Sequence, residues 1–172
     1  LTTGSLEPSA RRACRLRGLS AGDSREKMRK RTKSRLWAIQ IAYGALLSGK
    51  KIERALGEFF THRRIGPDNR EFTSRLLLRM YEHMDEIDAL FTGRLQNWSV
   101  QRLAVLDKLM LRLAITEFLY IGDVPPKVTI NEYVQLAHFF GTDDSPRFLN
   151  GVLDAVYKGL IQTGALLPDE DP

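Results

Sequence analysis

The stretch from Val124 to Asp154, VPPKVTINEYVQLAHFFGTDDSPRFLNGVLD, carries two helices and the turn that joins them. Pro125 and Pro126 set an extended entry, because proline fixes φ and pushes the residue before it out of the helical region. Thr129 and Glu132 stand three apart, the spacing of a capping box whose side chains satisfy orphan N–H groups at a helix start. The helix they predict reaches Phe140 and closes at Gly141. Asp144, Ser145 and Pro146 then open a second helix, with an oxygen-bearing cap followed by proline in the first turn. Phe148, Val152, Val156 and Leu160 recur every four residues, joined by Leu149 and Leu153, so that helix has one apolar face.

Working outward, the same period holds over most of the chain. A helix over about 33–48 places Ile39, Tyr43, Leu46 and Leu47 on one side and ends at Gly49. A short helix over 52–60 buries Ala55, Leu56 and Phe59. Gly66-Pro67-Asp68 interrupts, and Asp68 with Glu71 predicts a reciprocal cap for a long helix over about 69–90, whose inner face carries Phe72, Leu76, Met80, Met84 and Ile87. Ser99 is the cap candidate for the next element. The stretch Leu103–Ile121 is apolar nearly all round, which predicts a central buried helix. No segment alternates with period two, and no repeat stands out. The fold class is all-α, a compact bundle of about six to seven helices.

With 172 residues, 43% of them hydrophobic, the chain can bury a core without disulfide or metal staples. Cys14 is the only cysteine, which excludes an internal disulfide and a cysteine-based zinc site and points to a reducing, cytoplasmic setting. Charge breaks every apolar run before it could span a membrane. The net charge of +5 conceals an asymmetry: residues 1–35 hold 11 Lys/Arg against three acids, and the remainder holds 15 against 18. A basic end on a slightly acidic body suits a polyanion, because each neutralised phosphate releases condensed counterions, and it equally suits a solubilising tail. Residues 1–27 have no apolar period and read as a disordered extension, with Met28 as the natural start. Residues 28–163 form the helical domain and 164–172 an acidic flexible tail.

Catalytic patterns are missing. His62, His83 and His138 stand far apart, no phosphate-cradling or nucleophile-elbow glycine motif occurs, and neither metal nor cofactor is expected. Carboxylate pairs such as Asp85/Asp88 and Asp143/Asp144 read as solvated faces or caps. The remaining feature is the basic run Arg29, Lys30, Arg31, Lys33 and Arg35, five charges in seven residues directly before the first amphipathic stretch. Helical continuation places Arg31 and Arg35 four apart on one face. Arginine both neutralises phosphate and stacks on splayed bases.

Three ordered blocks resemble the NusB family of bacterial RNA-binding transcription antitermination factors. At the front lie Arg35, Ala38, Gln40 and Tyr43. In the middle are Leu106-Asp107-Lys108 and the run Leu111-Arg112-Leu113-Ala114-Ile115-Thr116-Glu117. At the back stand Ile130-Asn131-Glu132, Leu136-Ala137 and Phe148-Leu149-Asn150-Gly151-Val152-Leu153-Asp154. The resemblance spans about 29–160. It implies two packed helical subdomains and binding of boxA-type single-stranded RNA as a heterodimer with ribosomal protein S10, alongside other Nus factors in the elongation complex. It also implies an RNA face made of Arg29, Lys30, Arg31, Lys33, Arg35, Gln40, Tyr43, Asp107, Asp144 and Arg147.

Structural roles compete at several of these positions. Gln40 and Tyr43 suit a core edge, Asp144 suits a helix cap, and Asn150 suits a local bond at the helix junction. Arg147 opposes the helix dipole in the first turn, which favours an external anion. Arg112 and Glu117 are expected in pairs that lock helices together. Two other functions fit the same residues. One is the NusB-like domain of a ribosomal RNA cytosine methyltransferase, whose chemistry needs an α/β cofactor domain and a cysteine nucleophile. The other is a protein-only helical adaptor, whose binding would lack steep salt dependence.

Overall fold

The computed structural model describes residues 21–95 and 103–168. Among them are seven α-helices and no strand: α1 (Ala21–Ser48), α2 (Ile52–Thr61), α3 (Pro67–Glu82), α4 (Met84–Thr92), α5 (Val105–Thr116), α6 (Pro126–Phe140) and α7 (Ser145–Gln162). A π-helical turn, Glu117–Ile121, extends α5. Helices α1, α2 and α3 pack on one another, α6 packs chiefly on α7, and α5 touches both groups. The expected central helix is therefore central. Leu109, Met110, Leu111, Leu113, Ala114 and Ile115 are all buried. Truncating a residue such as Leu113 to alanine would cost about 2–5 kcal/mol through lost transfer energy and a cavity.

Chain reversals follow local chemistry. Gly49, at φ +64, ends α1, and the N–H of Lys50 reaches back to the Ala45 carbonyl at 3.1 Å. That six-to-one bond is the Schellman closure, and its left-handed residue favours glycine. Gly122, at φ +62, ends the π-turn by donating to the Glu117 carbonyl at 3.1 Å. Gly141 has a different reason: a Cβ there would collide with the Ser145 side chain. The close approach lets Ser145 Oγ accept the Thr142 N–H at 2.9 Å and so brace the turn into α7.

Several expectations change. Helix α1 begins at Ala21, upstream of the expected start near Lys33 and inside the stretch read as disordered. The long helix over 69–90 is two, broken at His83 (φ −114, ψ 22). No Gly or Pro marks that break; the His83 ring instead stacks on Tyr120, centroids 4.1 Å apart. The capping boxes are absent. Helix α6 starts at Pro126, so Thr129 lies inside it and is fully buried. Helix α3 starts at Pro67 after Gly66, without a side-chain cap bond. Asp144 also makes no side-chain cap bond, although its carbonyl accepts the Phe148 N–H at 3.0 Å. Asn150, expected to bond at the junction, is exposed. The Ser99 cap and Cys14 lie outside the described residues.

Candidate nucleic-acid interface

Helical geometry divides the basic run. At 100° per residue, Arg29, Lys33, Gln40 and Tyr43 fall on one side of α1, whereas Arg31 and Arg35 turn with Ala38, Ile39 and Ala42 towards the core. The structure keeps that division. Arg29, Lys33 and Gln40 are exposed, Tyr43 is half-buried against the core edge, and Lys30 lies exposed at the margin, 3.1 Å from Glu26. Arg29 to Gln40 covers about 16 Å of helix at 1.5 Å per residue. Neither Arg29 nor Lys33 is paired with a carboxylate among the described residues.

Arg35 is withdrawn from any surface, with 1% of its area exposed. Its Nε donates to Glu117 Oε2 at 3.0 Å and its Nη2 to Glu117 Oε1 at 2.5 Å. Nη1 donates to Glu132 Oε2 at 3.1 Å, and that same oxygen accepts the Thr32 hydroxyl at 2.5 Å. Thr129 Oγ1 and the Tyr133 hydroxyl also point at Glu117, at 3.3 and 3.4 Å. Glu117 thus faces four donors from two elements, α1 and α6, the condition under which a buried ion pair is tolerated. Burial opposes charge on Arg35, but the Glu117 hydrogen bonds and the surrounding negative field outweigh it and hold its pKa above the usual value. Burial, then the Glu117 charge, pushes the Tyr133 phenol well above its ordinary value, so it remains a donor.

Arg31 has a weaker version of the same fate. Its Nη2 donates to Asp123 Oδ2 at 2.9 Å, and its guanidinium carbon lies 4.4 Å from the centre of the Phe72 ring. Arg75 supports this corner by donating to the Ile121 carbonyl at 2.9 Å. The two arginines expected to share a face do share one, but it is the face that packs.

Asp107 also leaves the expected surface. It is buried at the start of α5, where burial raises its pKa and a hydrogen bond with Ser145 partly offsets the rise; Oδ1 has no hydrogen-bond partner among the described residues. That bond joins the N-terminal ends of α5 and α7. Asp144 and Arg147 stand exposed beside it. The site residues therefore form two groups, one along outward α1 and one at the start of α7, and both helices pack on α5. Sequence reasoning missed Glu132, Thr129 and Asp123 as the partners that hold the inward arginines. Arg112 does make the expected lock, donating to both oxygens of Asp88 at 2.7 and 2.6 Å; Asp88 is therefore no solvated carboxylate.

These features describe an all-helical bundle whose first helix is pinned by inward-facing arginines and turns other cations outward. The model of the NusB family matches residues 32–158, and the chain belongs to that family. It is 37% identical over 130 residues to the transcription antitermination protein NusB of Syntrophus aciditrophicus, covering 76% of this chain and 81% of that one. It is 39% identical to the NusB of Dehalococcoides mccartyi over 77% of this chain and 93% of the relative. Among solved structures, T. maritima NusB superposes with a TM-score of 0.68 at 31% identity, over 74% and 90% of the two chains. NusB solved with NusE and double-stranded RNA superposes at 0.69 with 26% identity, over 77% and 98%. No helix among the described residues is long and apolar enough to cross a membrane.

Proposed function

We propose that this chain is a non-catalytic, RNA-binding transcription antitermination factor that acts with ribosomal protein S10, the NusE of its structural relative, on boxA-type RNA of ribosomal RNA operons. Family membership supports the class. The observation that carries the binding surface is the division of α1. Arg31 and Arg35 are committed to Asp123, Glu117 and Glu132, while Arg29 and Lys33 stay exposed, in line with Gln40 and Tyr43. Arg147 adds a cation at the start of α7, where unsatisfied N–H groups already favour an anion.

Binding to a flexible strand would draw on phosphate neutralisation by the outward cations and on stacking against Tyr43. The test is an anisotropy titration of the full chain with a single-stranded boxA-type RNA and with its duplex, at several salt concentrations, with and without S10. The expected result is tighter binding to the single strand, steep loss of affinity with salt, and further tightening by S10. Salt-independent binding would return the chain to a protein-only adaptor.

A further inference from the structure

The turn between α2 and α3 contains a second cationic surface, Thr61 to Gly66, that the α1 face does not use. A concavity of about 740 Å³ opens there, lined by His62, Arg63, Arg64 and Arg70 among others. Its charge is uncompensated. Lys50 and Arg54 nearby are both paired with Glu58, at 2.6 and 3.0 Å, but Arg63, Arg64 and Arg70 have no ion pair among the described residues. Arg70 is held in place by donating to the Ile65 carbonyl at 3.1 Å and the Phe60 carbonyl at 3.0 Å. Two carbonyls fix its position without cancelling its charge. The Arg63 guanidinium carbon sits over the Phe59 ring, 4.0 Å from its centre, so this cation is held beside an aromatic face.

The concavity adjoins α1. Asn69, the neighbour of Arg70, donates to the Lys30 carbonyl at 2.7 Å and to Ser34 Oγ at 2.9 Å. Trp37 of α1 meets Phe59 with ring centroids 6.5 Å apart. Cations and half-exposed rings thus run from Lys30 and Lys33, past Trp37 and Phe59, to Arg63 and Arg64. A strand of phosphates and bases matches that alternation, whereas an acidic peptide would use the charges and leave the rings idle.

Resting on the RNA-binding reading above, we propose that the α2–α3 concavity is a second RNA contact: Arg63 and Arg64 take phosphates of the strand as it leaves the α1 face, and Trp37 receives a base. The site would extend the length of RNA held without reading its sequence.

The test uses the full chain and two single-stranded probes: a boxA-type RNA alone, and the same RNA lengthened at one end or the other by about eight uridines, the scale of a single-strand site. The variant is Arg63→Gln with Arg64→Gln, both exposed, checked by circular dichroism for an unchanged helical fold. Wild type should bind one lengthened probe about five- to tenfold more tightly than the short one, and the variant should lose that gain while keeping its affinity for the short probe. The salt slope on the long probe should fall by about 1.4, at about 0.7 per phosphate contact. Equal affinity of wild type for all probes, or an unchanged gain in the variant, overturns this second contact and leaves the α1 reading intact. Competition by polyglutamate with no gain from uridines would assign the concavity to an acidic protein segment instead. A wild type that binds no RNA overturns both readings.

Discussion

Lys33 and Arg35 are two residues apart on one helix and live in opposite environments. Lys33 stands in solvent without a carboxylate partner among the described residues. Arg35 is enclosed by Glu117, Glu132 and the Phe72 ring, the last 5.9 Å from its guanidinium carbon. One basic run therefore does two jobs, and the helical period assigns them. The inward arginines hold α1 against the π-turn and α6. The outward cations then sit on a helix that cannot roll or slide, which lowers the ordering cost of binding a flexible strand.

The comparison is broken most forcefully at Arg35. Arg35→Ala leaves the Glu117 carboxylate buried without its bidentate partner, and about 3–5 kcal/mol of stability should go, read from denaturant midpoints. Arg35→Lys should recover only part, because an ammonium cannot reproduce the planar two-point fit to Glu117. A loss below about 1 kcal/mol would mean that the hub does not hold α1. Arg31→Ala should cost less, about 0.5–1.5 kcal/mol, since Asp123 is partly solvated and screens what the pair contributes.

The outward side gives the reverse pattern. Arg29→Gln with Lys33→Gln should leave stability within about 0.5 kcal/mol, since neither side chain has a carboxylate partner among the described residues. RNA affinity should fall several-fold, and the salt slope should flatten by about 1.4 on single-stranded RNA. If those variants unfold the protein while Arg35→Ala only weakens RNA binding, the assignment of the two faces is inverted.

The all-helical class and most helix ends were legible because they rest on local rules, such as apolar period, Gly49 at a left-handed closure and Pro146 in a first turn, whereas the family was legible only through the three blocks that resemble it. Arg31 and Arg35 were legible as one face, but sequence spacing gives no origin for the angle, so which face packs was not. The decisive partners, Glu117 and Glu132, lie 82 and 97 residues away, and long-range pairs leave no local mark. The same limit explains the false capping box. Thr129 and Glu132 have capping spacing, yet both are spent on the hub around Arg35. Removing residues 1–35 to test the basic arm would therefore also delete the hub, so the single neutralisations above separate binding from folding where that deletion could not. The turn at His62-Arg63-Arg64 did carry a readable signal, with no acid between Glu58 and Asp68. Its meaning came from Asn69 and Trp37, which place it beside α1.

Asp107 poses the inward problem without an inward partner. Arg35 is buried with two carboxylates, but Asp107 is buried with one hydroxyl, and its Oδ1 has no hydrogen-bond partner among the described residues. Burial raises its folded-state pKa above the unfolded value despite the Ser145 bond. The native state then holds the proton more firmly than the unfolded chain. This stabilising contribution is present in full below the unfolded carboxylate pKa and is lost as pH rises through the folded one. At neutral pH the ionised group is a net cost, so Asp107→Asn, which keeps the shape and removes the charge, should match or exceed wild-type stability there by up to about 1 kcal/mol. Unfolding midpoints across the acid range should show wild type losing ground to the variant as pH rises. A variant that instead falls progressively behind with rising pH would show that the charge on Asp107 is wanted, by a cation or by the helix ends it joins, and that this second buried charge is compensated after all.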